Sequence, residues 1–377
     1  MALSVHAITS IYVSVALVRA ANAVFIVSLA FTLPFLSPAF HGLILASYAI
    51  LEALSGILAG GLYERFGARS ILSLSTLTLA SSYVLMHVSL NPIVVLLLNS
   101  LAGVMAAGVL VASLSVLAEE TRGRPLARLL GSGGFEASNL GGYALGFAIA
   151  FLLEVLGLLH GFLVSAMLAS LAFLASLLAP SVTGRRLSIV VERNALKLAP
   201  LWFGLASLIG LAFTAPKILV ETGITLPGLS GEGDVSLTLI AGLASISVGL
   251  LVGSYIASLI GKLGALVLGS TSIPLALVIG GFFLEELLKP HLLPLIAMLA
   301  IPAMTLPPAM LALLADYTDA SRARGAQMGF YVSILGAGIA FGEFALGGLA
   351  FQWLGLTATA LLAAALFAIL AIPTIYL

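Results

Sequence analysis

The chain has 377 residues, 61% hydrophobic and 8% charged, with a formal net charge of +0 and a mean hydropathy of +1.23; soluble domains carry about 25% charged residues, so this composition belongs in a bilayer. Its few Lys and Arg are too dispersed for a nucleic-acid-binding stripe. The absence of cysteine excludes disulfides, cysteine nucleophiles and thiolate metal sites and leaves the redox compartment open.

Apolar stretches recur along nearly the whole chain, most of them near the ~20 residues that a spanning helix needs. In chain order they predict twelve spans, at 10–36, 41–62, 69–90, 92–118, 127–153, 158–180, 198–221, 235–260, 264–285, 291–315, 325–352 and 355–376. Polar or proline-bearing pieces separate them: Ser37-Pro38, Asn91-Pro92, Lys289-Pro290 and the glycine-rich run from Thr222 to Val235. The N-terminus lacks the basic region of a cleaved signal peptide, so span 1 is expected to stay as a helix. Basic residues fall in five alternate loops: Arg65 and Arg69; Arg122, Arg124 and Arg128; Arg185, Arg186, Arg193 and Lys197; Lys262; Arg322 and Arg324. The opposite loops hold only Lys289, with Lys217 near a helix end. Positive-inside logic therefore expects a multi-pass protein of the cell membrane with both termini cytoplasmic.

The stretch Gly60-Gly-Leu-Tyr-Glu-Arg-Phe-Gly-Ala-Arg69 between spans 2 and 3 has a degraded copy, Ala257-Ser-Leu-Ile-Gly-Lys-Leu-Gly264, about half a chain later. In this alignment Gly56 falls on Gly253, Arg65 on Lys262 and Gly67 on Gly264. A second block, Gly134-Phe-Glu-Ala-Ser-Asn-Leu-Gly141, matches Gly329-Phe-Tyr-Val-Ser-Ile-Leu-Gly336 at nearly the same offset. The duplication predicts two six-helix bundles, 1–182 and 198–377, joined by a basic cytoplasmic linker at 183–197.

The pattern Gly60-x-Leu62-x-Glu64-Arg65-x-Gly67-x-Arg69-x-x-Leu72 resembles the loop 2-3 signature of the major facilitator superfamily, and the basic loops Glu120-Thr-Arg-Gly123 and Arg322-Ala-Arg-Gly325 are similar to that family as well. The resemblance spans the full chain. It implies an all-α polytopic membrane protein of two pseudo-symmetric bundles that moves a small-molecule substrate, and in which spans 1, 4, 7 and 10 line the path. The family's loop acid is thought to hold the cytoplasmic side shut; that role falls to Glu64, near the start of span 11 and Arg122. Small Gly56 and Gly60 let two helices approach, Gly67 permits the turn, and a helix N-terminus favours an acid. The chain departs from the pattern at Glu64, where Asp is usual, at Ala68, where a basic residue is usual, and at Gly261, which replaces an acid. The charge latch is thus expected to be one-sided, with Lys262 leaving the second copy only its turn. The plainer reading is a positive-inside loop with a turn glycine.

Ionisable residues inside the membrane are expensive and mark functional sites. Arg19 lies in span 1 with Asn22 on the same face; Glu52 is mid-span 2; Glu136 and Asn139 share a face of span 5; Glu343 is deep in span 11. Three acids face one base. Helix rise puts Arg19 and Glu136 at one depth and predicts that they pair. Glu52 or Glu343 is then the carboxyl without a cation, which proton coupling requires. The plainer readings are a structural ion pair and an interhelical hydrogen bond. Lys217 with Glu221 reads as a rim ion pair, Glu285 and Glu286 beside Lys289 as a solvated helix end, and His6, His41, His87, His160 and His291 as interfacial or capping residues. Pro302, Pro307 and Pro308 in span 10 and Pro216 in span 7 predict bends in cavity-lining helices.

With Gln327 and Gln352 as its only glutamines, the chain does not suit a sugar. Gly133, Gly142 and Gly146 half-match the family's drug-antiporter signature, with Phe147 where proline is expected. The expected function is secondary transport of a small amphipathic organic solute by rocker-switch alternating access, as proton-coupled export, by a monomer in contact with membrane lipid, protons and substrate, with no cofactor, metal or nucleic acid. A uniporter or symporter of a small organic anion bound by Arg19 is the same-fold alternative. An intramembrane lipid-modifying enzyme would need an Asp-rich pair, a His-Glu-x-x-His or a serine motif, all absent. A sensor that no longer transports is the remaining class.

Overall fold

Where no water reaches the backbone, each amide and carbonyl must be satisfied within its own segment, and the helix achieves this. The computed structural model describes residues 5–33, 38–155, 160–180, 196–214, 248–287, 300–317 and 324–372, and the regular structure among them is helical throughout. In chain order the helices are α1 (Val5–Thr32), α2 (Pro38–Val88), α3 (Pro92–Glu120), α4 (Pro125–Val155), α5 (Gly161–Ser176), α6 (Ala199–Phe213), α7 (Val248–Ile260), α8 (Lys262–Leu287), α9 (Leu306–Tyr317), α10 (Arg324–Phe341) and α11 (Phe351–Ala371). A π-helical stretch, Gly342–Ala350, joins α10 to α11. Pro216, Lys217, Glu221, Lys289, His291, Arg185, Arg186, Arg193 and Arg322, most of the linker and the glycine-rich run lie outside the described residues, as do the side chains of Glu285, Glu286 and Arg324.

Six of the described segments are long and apolar enough to cross a membrane. Two of them run to 46 and 47 residues, about 70 Å if straight, against a hydrocarbon core of about 30 Å. Each is broken by a glycine in the left-handed region, Gly67 (φ 77) in the first and Gly355 (φ 76) in the second. The break leaves α2 with two arms, 38–66 and 68–88, each of crossing length.

Gly261 (φ 80) makes the same turn between α7 and α8. The repeat alignment expects that role of Gly264, which instead lies inside α8. The left-handed residue has to fall where the chain leaves one helix for the next, and Lys262 already opens α8. Gly67 thus corresponds to Gly261, and Lys262 follows its turn glycine whereas Arg65 precedes one.

Small residues set the packing. α1 lies on α4 and α5, α2 on α3, α5 and α10, α10 also on α6, and α8 on α11. A Cβ built on Gly142 or Gly146 of α4 would overlap the carbonyls of Ala16 or Ala20 in α1, and one on Gly103 of α3 would overlap the Tyr48 carbonyl. These backbones therefore touch, which is how helices associate where lipid removes the hydrophobic drive. Leu54, Leu58 and Leu62, four residues apart on α2, are exposed together and form a lipid-facing stripe.

The predicted bend in span 10 sits at Met304 and Thr305, between the turn ending at Ala303 and α9. Pro307 and Pro308 offer no N–H to the carbonyls one turn back, but open α9 where none is needed. The Met304 carbonyl lies against Gly253 of α7, and Thr305 Oγ1 donates to the Ala265 carbonyl of α8 at 3.0 Å.

Candidate functional site

Arg19 of α1 is 2% exposed and ties α1 to α2 and α4. Its Nε donates to Asn139 Oδ1 of α4 at 2.7 Å, and its terminal nitrogens donate to Tyr48 Oη at 3.2 Å, Tyr143 Oη at 3.3 Å and Glu52 Oε1 at 3.0 Å. Those four bonds occupy all but one of the five N–H groups of a guanidinium. The Tyr143 ring lies 5.5 Å from the guanidinium carbon, and Asn22 Nδ2 donates to Tyr143 Oη at 3.2 Å.

The expected pairing of Arg19 with Glu136 is not what forms; Glu52 is the partner, in an ion pair buried on both sides. Depth along a helix fixes the level of a side chain but not the neighbour it faces, and α2 brings Glu52 to the guanidinium. Glu136 instead accepts a hydrogen bond from Tyr331 Oη of α10 at 2.9 Å. Of the two acids expected to lack a cation, Glu52 has one. Glu343, in the first turn of the π-helical stretch, carries an Oε2 with no hydrogen-bond partner among the described residues.

A cavity opens beside the ion pair, lined among others by Asn22, Tyr48, Glu52, Asn99, Tyr143 and Glu343. It measures about 20 Å³ to a water-sized sphere, room for about one small group. Ile26, Leu45, Phe213 and Ile339 supply apolar wall. Asn99 Nδ2 donates to the Ile44 carbonyl at 2.7 Å, while its Oδ1 has no partner among the described residues.

At the end of the bundle that carries the basic loops, α2 and α10 close on each other. A Cβ on Gly60 would overlap the Gly325 carbonyl, and one on Gly329 the Gly56 carbonyl. Glu64, 3% exposed, accepts a hydrogen bond from the Gly325 amide at 2.7 Å. That amide belongs to the first turn of α10, where donors have no partner in the helix and a negative charge is favoured. Arg65 and Arg122 are exposed; Arg69 Nε donates to the Ala179 carbonyl at 2.8 Å.

At the second copy of the loop, where the sequence reading expects only a turn, the structure places an ion-pair network. Asp316, near the end of α9, is ion-paired with both Lys262 at the start of α8 and buried Arg128 in the first turn of α4. The second loop carries no acid of its own at 257–264; another helix supplies one, so Lys262 does more than follow a turn. Sequence reading passed over Asp316 because it ends an apolar run where a solvated charge is ordinary. It also passed over Tyr48, Asn99, Tyr143 and Tyr331. The signal was there: Tyr48 stands one turn from Glu52 and Tyr143 one turn from Asn139, and a tyrosine buried in a span needs a partner for its hydroxyl.

No protein-family model matches the chain, and no curated protein matches its sequence. Its structure is similar to the crystal structure of the human organic anion transporter MFSD10 (TETRAN), with a TM-score of 0.74 and 16% identity over 98% of this chain and 99% of that one. At that identity the likeness speaks for architecture, and it covers both chains almost end to end. Together with the glycine-framed Glu64 loop, it gives this chain the fold of the major facilitator superfamily.

Proposed function

We propose that the protein is a secondary transporter of twelve spans, whose halves 1–182 and 198–377 rock about the cavity beside Arg19 and expose it to each side of the membrane in turn. One observation carries this reading: the cavity walls come from both halves, with Asn22, Glu52 and Asn99 from the first and Phe213, Ile339 and Glu343 from the second. A relative motion of the halves would open such a chamber. The Glu136–Tyr331 bond adds support, because these residues occupy equivalent places in the repeat. A residue that touches its own symmetry mate lies on the axis relating the two copies.

In this reading the basic end is cytoplasmic, the conformation is closed on that side, and the transporter works as a monomer in the cell membrane. Glu343 exchanges a proton for an exported amphipathic solute. Proteoliposomes loaded under a pH gradient test the coupling; full drive retained in both Glu343→Gln and Glu136→Gln would sink it. Glu64→Gln keeps the shape of the latch but removes its charge from the α10 N-terminus, worth about 1 kcal/mol or roughly fivefold in favour of the cytoplasm-open state. Spin labels at Arg65→Cys and Leu263→Cys would report a longer distance population; an unchanged distribution would count against the latch.

The similarity to an organic anion transporter favours a second reading, uptake or symport of an organic anion held by Arg19. Against it stand the four N–H groups of Arg19 already engaged within the protein.

A further inference from the structure

We infer that the cavity receives the protonated amine head of its cargo, donated to Asn99 Oδ1 and Glu343 Oε2; this rests on the transport reading above and names its substrate class. Asn99 is 1% exposed, and its bond to the Ile44 carbonyl fixes the amide orientation, since a flipped amide would set oxygen against oxygen. Oδ1 is thereby committed as an acceptor with no donor among the described residues, and Glu343, whose Oε2 is a second such acceptor, lines the same cavity. Buried acceptors without donors are costly. An ammonium brings three donors and no acceptor, and its head is close to the size of the group that the cavity holds.

Charge points the same way. Around the cavity, the Arg19 guanidinium is matched by Glu52, and Glu343 adds a carboxyl that no described cation pairs with. A carboxylate ligand would meet acceptors at Asn99 and Glu343 and a guanidinium with one N–H to spare. Tyr143 and Phe213, with ring centroids 4.5 Å apart, both line the cavity, and aromatic rings attract a cation. Ile26, Leu45 and Ile339 provide contact for the hydrocarbon part of an amphipathic amine. An alkali cation is a poorer match, because two unpaired oxygens are far short of a coordination shell.

The test is calorimetric titration of the purified full-length protein near neutral pH, in sodium-free buffer, with phenethylamine, 3-phenylpropanoate and N,N,N-trimethylphenethylammonium. Phenethylamine is expected to bind at least about tenfold tighter than the carboxylate, which lacks the charge, and than the trimethyl derivative, which lacks the donors. Glu343→Gln is expected to weaken the amine by about tenfold or more. The inference is overturned by carboxylate binding equal to or tighter than amine binding, by no binding of the amine, or by undiminished amine affinity in Glu343→Gln. Because the ligand series uses the native chain, it stands even where the variant fails to fold. Proteoliposome flux separates the two readings: flux of the carboxylate alone keeps transport and overturns the amine site, whereas amine binding without flux keeps the site and overturns transport.

Discussion

Replacing Arg19 with methionine is expected to lower the stability of the protein by about 3–5 kcal/mol, the cost of stranding a buried carboxylate by removing its partner. The guanidinium joins α1 to α2 and α4 through Glu52, Tyr48, Asn139 and Tyr143, and methionine replaces none of those donors. Thermal unfolding in detergent, followed by the fluorescence of buried Trp202 against Tyr331, would measure the loss. The double variant Arg19→Met with Glu52→Gln removes both charges, leaves polar groups that can satisfy one another, and should recover at least half of it. A double variant as unstable as the single one would show that the ion pair is not the source. On the proposed function, transport should fail in the single variant even where folded protein is recovered, because Tyr48 and Tyr143, which wall the cavity, lose their anchor.

The second large effect is expected at Gly60. A methyl group there cannot coexist with the Gly325 carbonyl, so Gly60→Ala should force α2 and α10 apart at the basic end. Overpacking of this kind costs about 1–3 kcal/mol, roughly 5- to 150-fold in the population of the arrangement in which α2 and α10 touch. The expected readout is a shift of the Arg65→Cys to Leu263→Cys distance distribution toward long distances, larger than that of Glu64→Gln. Gly280→Ala is the control: a Cβ there meets nothing within 4 Å, and the distribution should not move. An unshifted distribution in Gly60→Ala would mean that the contact yields without opening the seal.

What was legible in the sequence was local. Asn91-Pro92 marks a helix start because Asn91 Oδ1 accepts the Ile93 amide at 2.9 Å and proline suits the first turn. Arg19 with Asn22, and Glu136 with Asn139, are buried in pairs because three residues return to one face of a helix. What was not legible was the neighbour. Arg19 could be placed at the depth of Glu136, yet the choice of Glu52 depends on how α1 and α2 are turned about their axes, which no single span encodes. The Asp316 network was hidden for the same reason, since its three members come from α4, α8 and α9. The misplaced turn at Gly264 had another cause: with 39 glycines in the chain, an alignment can choose a glycine three residues from the one that bends.

The glycines of α10 and the π-helical stretch form a track against α6. Gly338, Gly342 and Gly347 meet Ala206, Ser207 and Thr214 in turn, so the first step along the track is four residues and the second is five. A helix of 3.6 residues per turn would carry the fifth residue well round the axis and away from α6. Bonding from i to i+5 brings it back. The wide turn is a vernier that retimes the upper half of the helix against the lower, which is keyed to α2 by Gly325 and Gly329. Two partners with different spacings are thereby served by one continuous rod, and Glu343 stands at the point where its pitch changes.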